Sequence, residues 1–327
     1  MGVLFVCVFN TNFAIFALIH LMRIQPIESY VAPVKGTVCT VGMFDGVHLG
    51  HSHILRTFAD EAAKRSLTPV VVTFDRHPRE VLGLIDNGFK LLSTTEERFA
   101  LLESCGVENV ALIHFTPEVA CLSACEFFET CLKPYLNVRT LVVGYDNMFG
   151  NKQRNDFDRL LRLPSLDVIQ AGAIRSGDAG ISSTQIRRAL QQGDISKANS
   201  MLGYDYSVHG TVVHGHGIGR TIDFPTANIR LADEMKAMPN EGVYAVRVDV
   251  DGGRYNAMAN WGGRPTIGER EPTLEVHLLN YGGDLYGKSV RVSFAARIRD
   301  IVAFESLDML SRQLLTDCQT ALRILER

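Results

Sequence analysis

At 327 residues the chain exceeds the roughly 250–300 at which a single hydrophobic core stops growing, so two domains are expected. Apolar residues make up 46% and charged residues 21%, a globular mix able to bury real cores. The formal net charge of -3 lacks the basic excess of a dedicated nucleic-acid binder.

Residues 2–22, GVLFVCVFNTNFAIFALIHLM, are apolar except for Asn10, Thr11, Asn12 and His20. The length suits a membrane span, but the polar trio falls near its middle. A signal peptide would carry a basic n-region and a small-residue cleavage site, and neither is evident. We read residues 1–21 as an apolar extension ahead of a true start at Met22, with an anchor or signal as the rival. A native N-terminal peptide containing Phe5 or Phe9 would refute this.

From Lys35 onward, β-rich runs alternate with helical stretches. TVCTV (37–41) leads into GMFDGVHLGH (42–51), then a helix over 51–66, a strand at 69–74 and a polar turn, DRHP (75–78). A helix over 96–105, a strand over 107–115, a helix over 124–136 and a strand over 140–146 follow. This alternation predicts parallel βαβ units with helices on both faces of a sheet. Ligands in such sheets bind at the carboxyl ends of the strands, where the clusters 42–51, 75–78 and 144–150 all fall. A helical region over 185–203 follows, and the domain boundary is placed at 200/201.

Beyond it the texture changes to short alternating runs divided by Gly, Pro, Asn and Asp, with DGG (251–253) as a hairpin turn. That predicts a small antiparallel barrel, closed off by an amphipathic last helix. The seven cysteines (7, 39, 105, 121, 125, 131 and 318) show no CxxC spacing and are read as reduced thiols of a cytoplasmic protein. Cys121 and Cys125 are one helical turn apart, but no histidine lies nearby to complete a metal site.

GMFDGVHLGH carries the first candidate chemistry. Its glycines let backbone come close to a ligand. His48 and His51 stand three apart at the start of a helix, where free N–H groups favour phosphate. Two imidazoles there can stabilise charge in phosphoryl transfer. A pair that merely capped the helix would leave the glycines unexplained. The sequence resembles the GxFDGVHxGH signature of the bacterial bifunctional riboflavin kinase/FAD synthetase family, and TFDRHP (73–78), GYDNMFG (144–150) and ISSTQIR (181–187) match that family in order. The resemblance runs from about Thr37 to the last helix.

The resemblance implies a Rossmann-like nucleotidyltransferase domain over 22–200, in which the phosphate of FMN attacks the α-phosphate of ATP. Carried over by position, Gly42, Phe44, Asp45 and Gly50 line the nucleotide pocket, and His48 and His51 bind phosphates. Gly144 and Asp146 help hold the nucleotide, while Ser182, Ser183, Thr184 and Arg187 grip the triphosphate. Read on its own, SST is a good N-cap cluster that brings an arginine toward an anion. The sequence departs from the family at Asn147 and Met148, where an aromatic or histidine and then a basic residue are usual. Arg154, Lys152 and Arg76 are candidate replacements for the lost cation.

In the β-rich half, VVHGHGIGRTIDFPTAN (212–228) resembles the riboflavin kinase motif GxxxGRxxGFPTAN, with Asp223 in place of a glycine. Gly215, Gly217, Gly219 and Arg220 are the nucleotide-binding candidates. Thr226 and Asn228 offer hard oxygen ligands suited to Mg²⁺. PTLEVHLL (272–279) alternates apolar and polar residues as a strand does, and the resemblance puts the catalytic base at Glu275, with His277 on the same face. Arg264, in a segment resembling NxGxxPT, is a substrate-proximal candidate. The implied whole, over 22–200 and 201–327, is an enzyme that makes FMN from riboflavin and FAD from FMN, using ATP and Mg²⁺. It acts as a monomer or weak homo-oligomer, without nucleic-acid or stable membrane partners. The rivals are a chain with one active half and a catalytically inactive flavin- or nucleotide-binding protein.

Overall fold

The computed structural model describes residues 22–84, 89–145, 149–151, 154, 156–176, 179–215, 224–264 and 269–326. The N-terminal half is built on a six-stranded sheet of β1 (Arg23–Pro26), β2 (Thr37–Val41), β3 (Thr68–Phe74), β4 (Asn109–Ile113), β5 (Val138–Val143) and β6 (Asp167–Gln170). All neighbours are parallel, in the order β1-β4-β3-β2-β5-β6. Every residue of β2 is buried, as its β-branched run requires of a strand covered on both faces. One apolar cluster, with Cys39, Val70, Val72, Phe127 and Leu132, covers one face. A second, with Val38, Val71, Leu55 and Phe58, packs α1 (Leu49–Arg65) against the other. The chain runs outward from β2 through β3 and β4, then returns to place β5 on its other side. That reversal opens a crevice at the carboxyl ends of β2 and β5.

Several boundaries differ from the sequence reading for local reasons. The first helix begins at Leu49 rather than 51 because the His48 side chain caps it. The run 124–136 forms three pieces, Ala124–Phe127, a π-turn at Phe128–Leu132, and Lys133–Leu136. Pro134 supplies no N–H there, which breaks a regular ladder. Cys121 ends one short helix while Cys125 lies in the next, beyond a fresh cap at Ser123, so the two do not share a helix face. The expected strand 140–146 stops at Val143. The helical region 185–203 is two helices, α4 (Ser183–Gln191) and α5 (Ile195–Leu202), divided at Gly193 and Asp194. Strands β1 and β6 carry only four residues each, and β1 is an edge strand ending in proline. Neither was legible.

The C-terminal half is a closed antiparallel barrel of β7 (Ser207–Val213), β8 (Ala227–Leu231), β9 (Gly242–Val250), β10 (Gly253–Arg264), β11 (Glu269–Leu278) and β12 (Ser289–Arg299). The order is β8-β11-β10-β9-β12-β7, with β7 returning to β8. β9 and β10 turn at Asp251 and Gly252, both at positive φ, as the DGG triplet predicts. The barrel interior is one apolar cluster with Val208, Tyr244, Val246, Leu274 and Val276, and it takes in Ile186, Leu190, Met201 and Leu202 from α4 and α5. Outside, α6 (Leu307–Leu325) covers Ala245 and Met258 with Ala321 and Leu325. Its buried Asp317 receives the fork of Arg299, with Nε and a terminal nitrogen 2.8–3.1 Å from the carboxylate.

The halves meet along 90–97. Leu91 N–H donates to Met235 O and Ala237 N–H to Leu91 O, both at 2.7 Å. Glu97 closes the capping box of α3 (Thr95–Ser104) with Thr94. It also ion-pairs with Lys236 and, at 2.7 Å, with His209 Nδ1. Burial pushes its carboxyl up, but the hydrogen bond from His209 and the Lys236 charge outweigh this and hold it at about 2.

Candidate active sites

At the crevice beyond β2 the chain turns through Phe44, Gly46 and Val47, all at positive φ. Gly46 takes φ +78° without strain, whereas Phe44 and Val47 are held there by burial at 1% and 2% exposure. This turn delivers His48 to the N-cap of α1. Its Nδ1 accepts from His51 N–H at 3.3 Å, which puts the proton of the neutral ring on Nε2. The His48 and His51 rings stack with centroids 3.7 Å apart, and Phe44 meets His51 edge-on at 5.2 Å. Burial, then the neighbouring His48, pushes the His51 imidazole well below its ordinary value. His51 is therefore a neutral donor at physiological pH. Its Nδ1 is buried with no hydrogen-bond partner among the described residues, a vacancy that calls for a ligand or water.

The cleft holds about 340 Å³ and is lined by residues from four strand ends and the start of α4. Phe44, Asp45, His48, Gly50, His51, Ser182, Ser183, Thr184 and Arg187 all line it, as the resemblance implied. Gly42 and Gly144 do not. They follow β2 and β5 directly, and Gly42 N–H only extends the ladder to Val72 O at 3.1 Å. Asp146, Asn147, Met148 and Lys152 lie outside the described residues.

Asp45 lines the cleft while its carboxylate is engaged inside the protein. It is 4% exposed, and its Oδ1 accepts from Leu92 N–H at 3.0 Å, Ser93 N–H at 2.9 Å and Ser93 O–H at 3.2 Å. Its Oδ2 takes the guanidinium of Arg187. These partners leave Asp45 aiming Arg187 more than offering itself to a ligand. Arg187 Nε donates to Lys90 O at 2.6 Å, and Ser183 O–H donates to the Asp45 carbonyl at 3.0 Å. Ser182 caps α4.

Sequence reasoning missed several lining residues. His77, Arg79, Phe89 and Tyr145 all reach the cleft. Burial pushes the His77 imidazole down to about 4 against the pull of Asp45, with Arg187, Arg79 and Arg98 helping. Arg98, 1% exposed, donates to Phe74 O at 2.8 Å and to Met43 O at 3.4 Å, tying together the ends of β3 and β2. The HPR that follows a strand end was the available signal for His77 and Arg79. Nothing in the sequence marks Phe89, which is brought in by the docking of segment 90–97.

The second constellation lies on the outer wall of the barrel. Leu274 and Val276 point into the core at 1% exposure each, so Glu275 and His277 face outward, as the alternation predicts. In register, Glu275 stands opposite Asn228 on one side and Asn260 on the other. Thr226 O–H donates to Glu275 Oε1 at 3.4 Å, and His277 Nδ1–H donates to Pro225 O at 2.8 Å. Gly215 sits just past β7, where a Cβ would come within 2.0 Å of the Asn228 amide nitrogen. Its lack of a Cβ leaves room for that amide. Asn228 is paired in β8. Gly217, Gly219, Arg220 and Asp223 lie outside the described residues, and Arg264 closes β10.

A parallel sheet with a histidine-tipped helix start at its reversal point, followed by a barrel bearing an outward carboxylate between two amides, defines a two-domain transferase. The comparisons narrow this. Residues 32–185 match the FAD synthetase family and residues 202–325 the riboflavin kinase family. The chain is 38% identical over 294 residues to the bifunctional riboflavin kinase/FMN adenylyltransferase of Escherichia coli K12, covering 89% of this chain and 93% of that one. It is 35% identical to the Bacillus subtilis protein of the same name, covering 88% and 92%. The chain belongs to the bifunctional riboflavin kinase/FMN adenylyltransferase family. A solved structure described as a macrolide-efflux protein from Streptococcus pneumoniae superposes with a TM-score of 0.82 at 33% identity, covering 92% and 98%. Among the described residues no helix is long and apolar enough to cross a membrane.

Proposed function

We propose that the protein converts riboflavin to FMN on the barrel and FMN to FAD in the sheet-edge cleft, using ATP for both. The observation that supports this best is that two distinct constellations, His48/His51 with Ser182, Ser183 and Thr184, and Glu275 with Thr226/Asn228, each assemble within the stretch that matches the corresponding family. We also place the division of labour at 200/201.

On the barrel, Glu275 accepts the proton of riboflavin's terminal hydroxyl as that oxygen bonds to the γ-phosphorus of ATP and ADP leaves. Asn228 and Asn260 stand opposite Glu275 in the strand register, so backbone pairing sets its height on the wall. The Thr226 hydroxyl, the Asn228 amide and the ATP phosphates make a hard-oxygen set that fits magnesium, and Gly215 leaves that amide the space to turn toward it. Bound magnesium would neutralise phosphate charge.

In the cleft, a phosphate oxygen of FMN attacks the α-phosphorus of ATP and pyrophosphate leaves. No covalent enzyme intermediate is needed, so catalysis is positioning and charge stabilisation. His51, as a neutral donor, and His48, whose Nδ1 is engaged by the His51 N–H so that Nε2 is the donor, serve at the α1 start. Ser182, Ser183, Thr184 and Arg187 hold the phosphates from α4. Free thiols at Cys39, Cys105, Cys121, Cys125, Cys131 and Cys318 suit a cytoplasmic setting. The net charge of -3 suits small-molecule substrates rather than nucleic acid, with a monomer or weak homo-oligomer as the working form.

The test is purified protein with riboflavin, ATP and magnesium, products followed by chromatography. FMN followed by FAD supports the reading. FMN alone would reduce it to a kinase, and binding without turnover would refute it.

A further inference from the structure

The cleft has an electrostatic imbalance that its assigned residues leave unresolved. Asp45 and Arg187 face each other and cancel. Arg187 is further occupied by Lys90 O. The remaining cation among the described lining residues is Arg79. It is exposed and has no ion-pair partner among the described residues.

Arg79 is nevertheless held in place. Its guanidinium carbon lies 5.1 Å from the centre of the Phe89 ring, and that of Arg187 lies 4.5 Å from the same centre. The His77 ring packs on Phe89 at 4.7 Å, and His77 Nδ1 accepts the Arg79 backbone N–H at 3.1 Å. Phe89 is 5% exposed, so this shelf is fixed. Two guanidinium groups on one ring repel, and among the described lining residues only one carboxylate, Asp45, offsets them. An anion in the cleft removes that cost.

Arg154 pairs with Glu126, and neither it nor Arg76 lines the cleft, while Lys152 lies outside the described residues. Among the described candidates, Arg79, after β3, is the cation placed to stand in for the basic residue that the family carries where this chain has Met148.

The geometry points to Arg79 as a phosphate-binding residue of the cleft, shelved on Phe89 beside Arg187. This rests on the adenylyl-transfer reading for the identity of the anion, which is either the pyrophosphate portion of ATP or the phosphate of FMN. A planar guanidinium forks onto either.

The full chain is titrated calorimetrically with inorganic pyrophosphate and, separately, with FMN at fixed ionic strength, as wild type, Arg79→Ala, Arg79→Lys and Phe89→Leu. Arg79→Ala is expected to weaken one of the two ligands about tenfold, and the ligand affected identifies the anion. Arg79→Lys retains more affinity than Arg79→Ala, and Phe89→Leu weakens the same ligand about threefold. The riboflavin kinase KM for ATP is the internal control and stays within twofold. Affinities for both ligands within twofold of wild type in Arg79→Ala would overturn the proposal, as would an equal loss in the kinase control. Wild type that makes no FAD, yet loses pyrophosphate affinity on Arg79→Ala, would sink the adenylyl-transfer reading while leaving the role of Arg79 standing.

Discussion

In the sheet half, the reactive groups hang where regular structure stops. His48 is a cap, His51 lies in the first turn of α1, and Ser182 caps α4. In the barrel half they stand inside paired strands, with Glu275 and Asn228 in direct register. The first arrangement uses backbone N–H groups and a helix start, so it suits a partner already carrying full negative charge. The second sets a carboxylate on a strand paired on both sides, with the Thr226 hydroxyl donating to it at 3.4 Å, so it suits removal of one proton at one height. The two halves thus place their chemistry by opposite means, and damage to each has a different signature.

The sharpest break of this comparison is Glu275→Gln. It is expected to lower FMN formation about 10³-fold and to leave conversion of added FMN to FAD within twofold, measured on one preparation. His51→Ala is expected to do the reverse, lowering FAD formation about 10²-fold with the kinase rate unchanged. Equal damage to both reactions in folded protein would show that the sites are not separate. Gly215→Ala forces a methyl to within 2.0 Å of the Asn228 amide nitrogen and should lower kinase turnover by up to about 10²-fold. Because the disturbance is a local displacement, the melting temperature should stay close to wild type.

The smallest catalytic effect is expected where the halves join. Glu97→Gln leaves Lys236, whose side chain is 5% exposed, without its carboxylate, at a cost of about 3 kcal/mol in denaturant unfolding. The folded carboxyl, held at about 2 against an ordinary 4.5, binds its proton less readily than the unfolded one. Its contribution is therefore complete above about 4.5 and fades as pH falls toward 2. Glu97→Gln should flatten that acid limb of stability. An unchanged limb would assign it to other carboxylates.

Much of this was legible because the chemistry sits on short, contiguous motifs. GMFDGVHLGH follows a fully buried strand, and the alternation in PTLEVHLL sets Glu275 outward without knowledge of any neighbour. What escaped was set by distant packing. Asp45 reads as a pocket carboxylate, and only the fold shows that segment 92–93 also binds it. Phe89 has no periodic context, and Arg98 reads as a solvated helix residue until it is seen spanning two strand ends. Asn260 becomes a neighbour of Glu275 only once β10 and β11 are in register. The space that Gly215 leaves for the Asn228 amide across the barrel wall was equally out of reach of the sequence.

The helical pair α4 and α5 has a consequence for how such proteins can be recombined. Ser182, Ser183, Thr184 and Arg187 line the cleft, while Ile186, Leu190, Met201 and Leu202 from the same helical pair belong to the apolar cluster of the barrel. A barrel transplanted from a relative with its junction cut at the first strand would leave those apolar side chains facing a foreign wall. Exchange of halves between relatives should succeed only when the crossover lies ahead of Ser183, so that the helices travel with the barrel they complete.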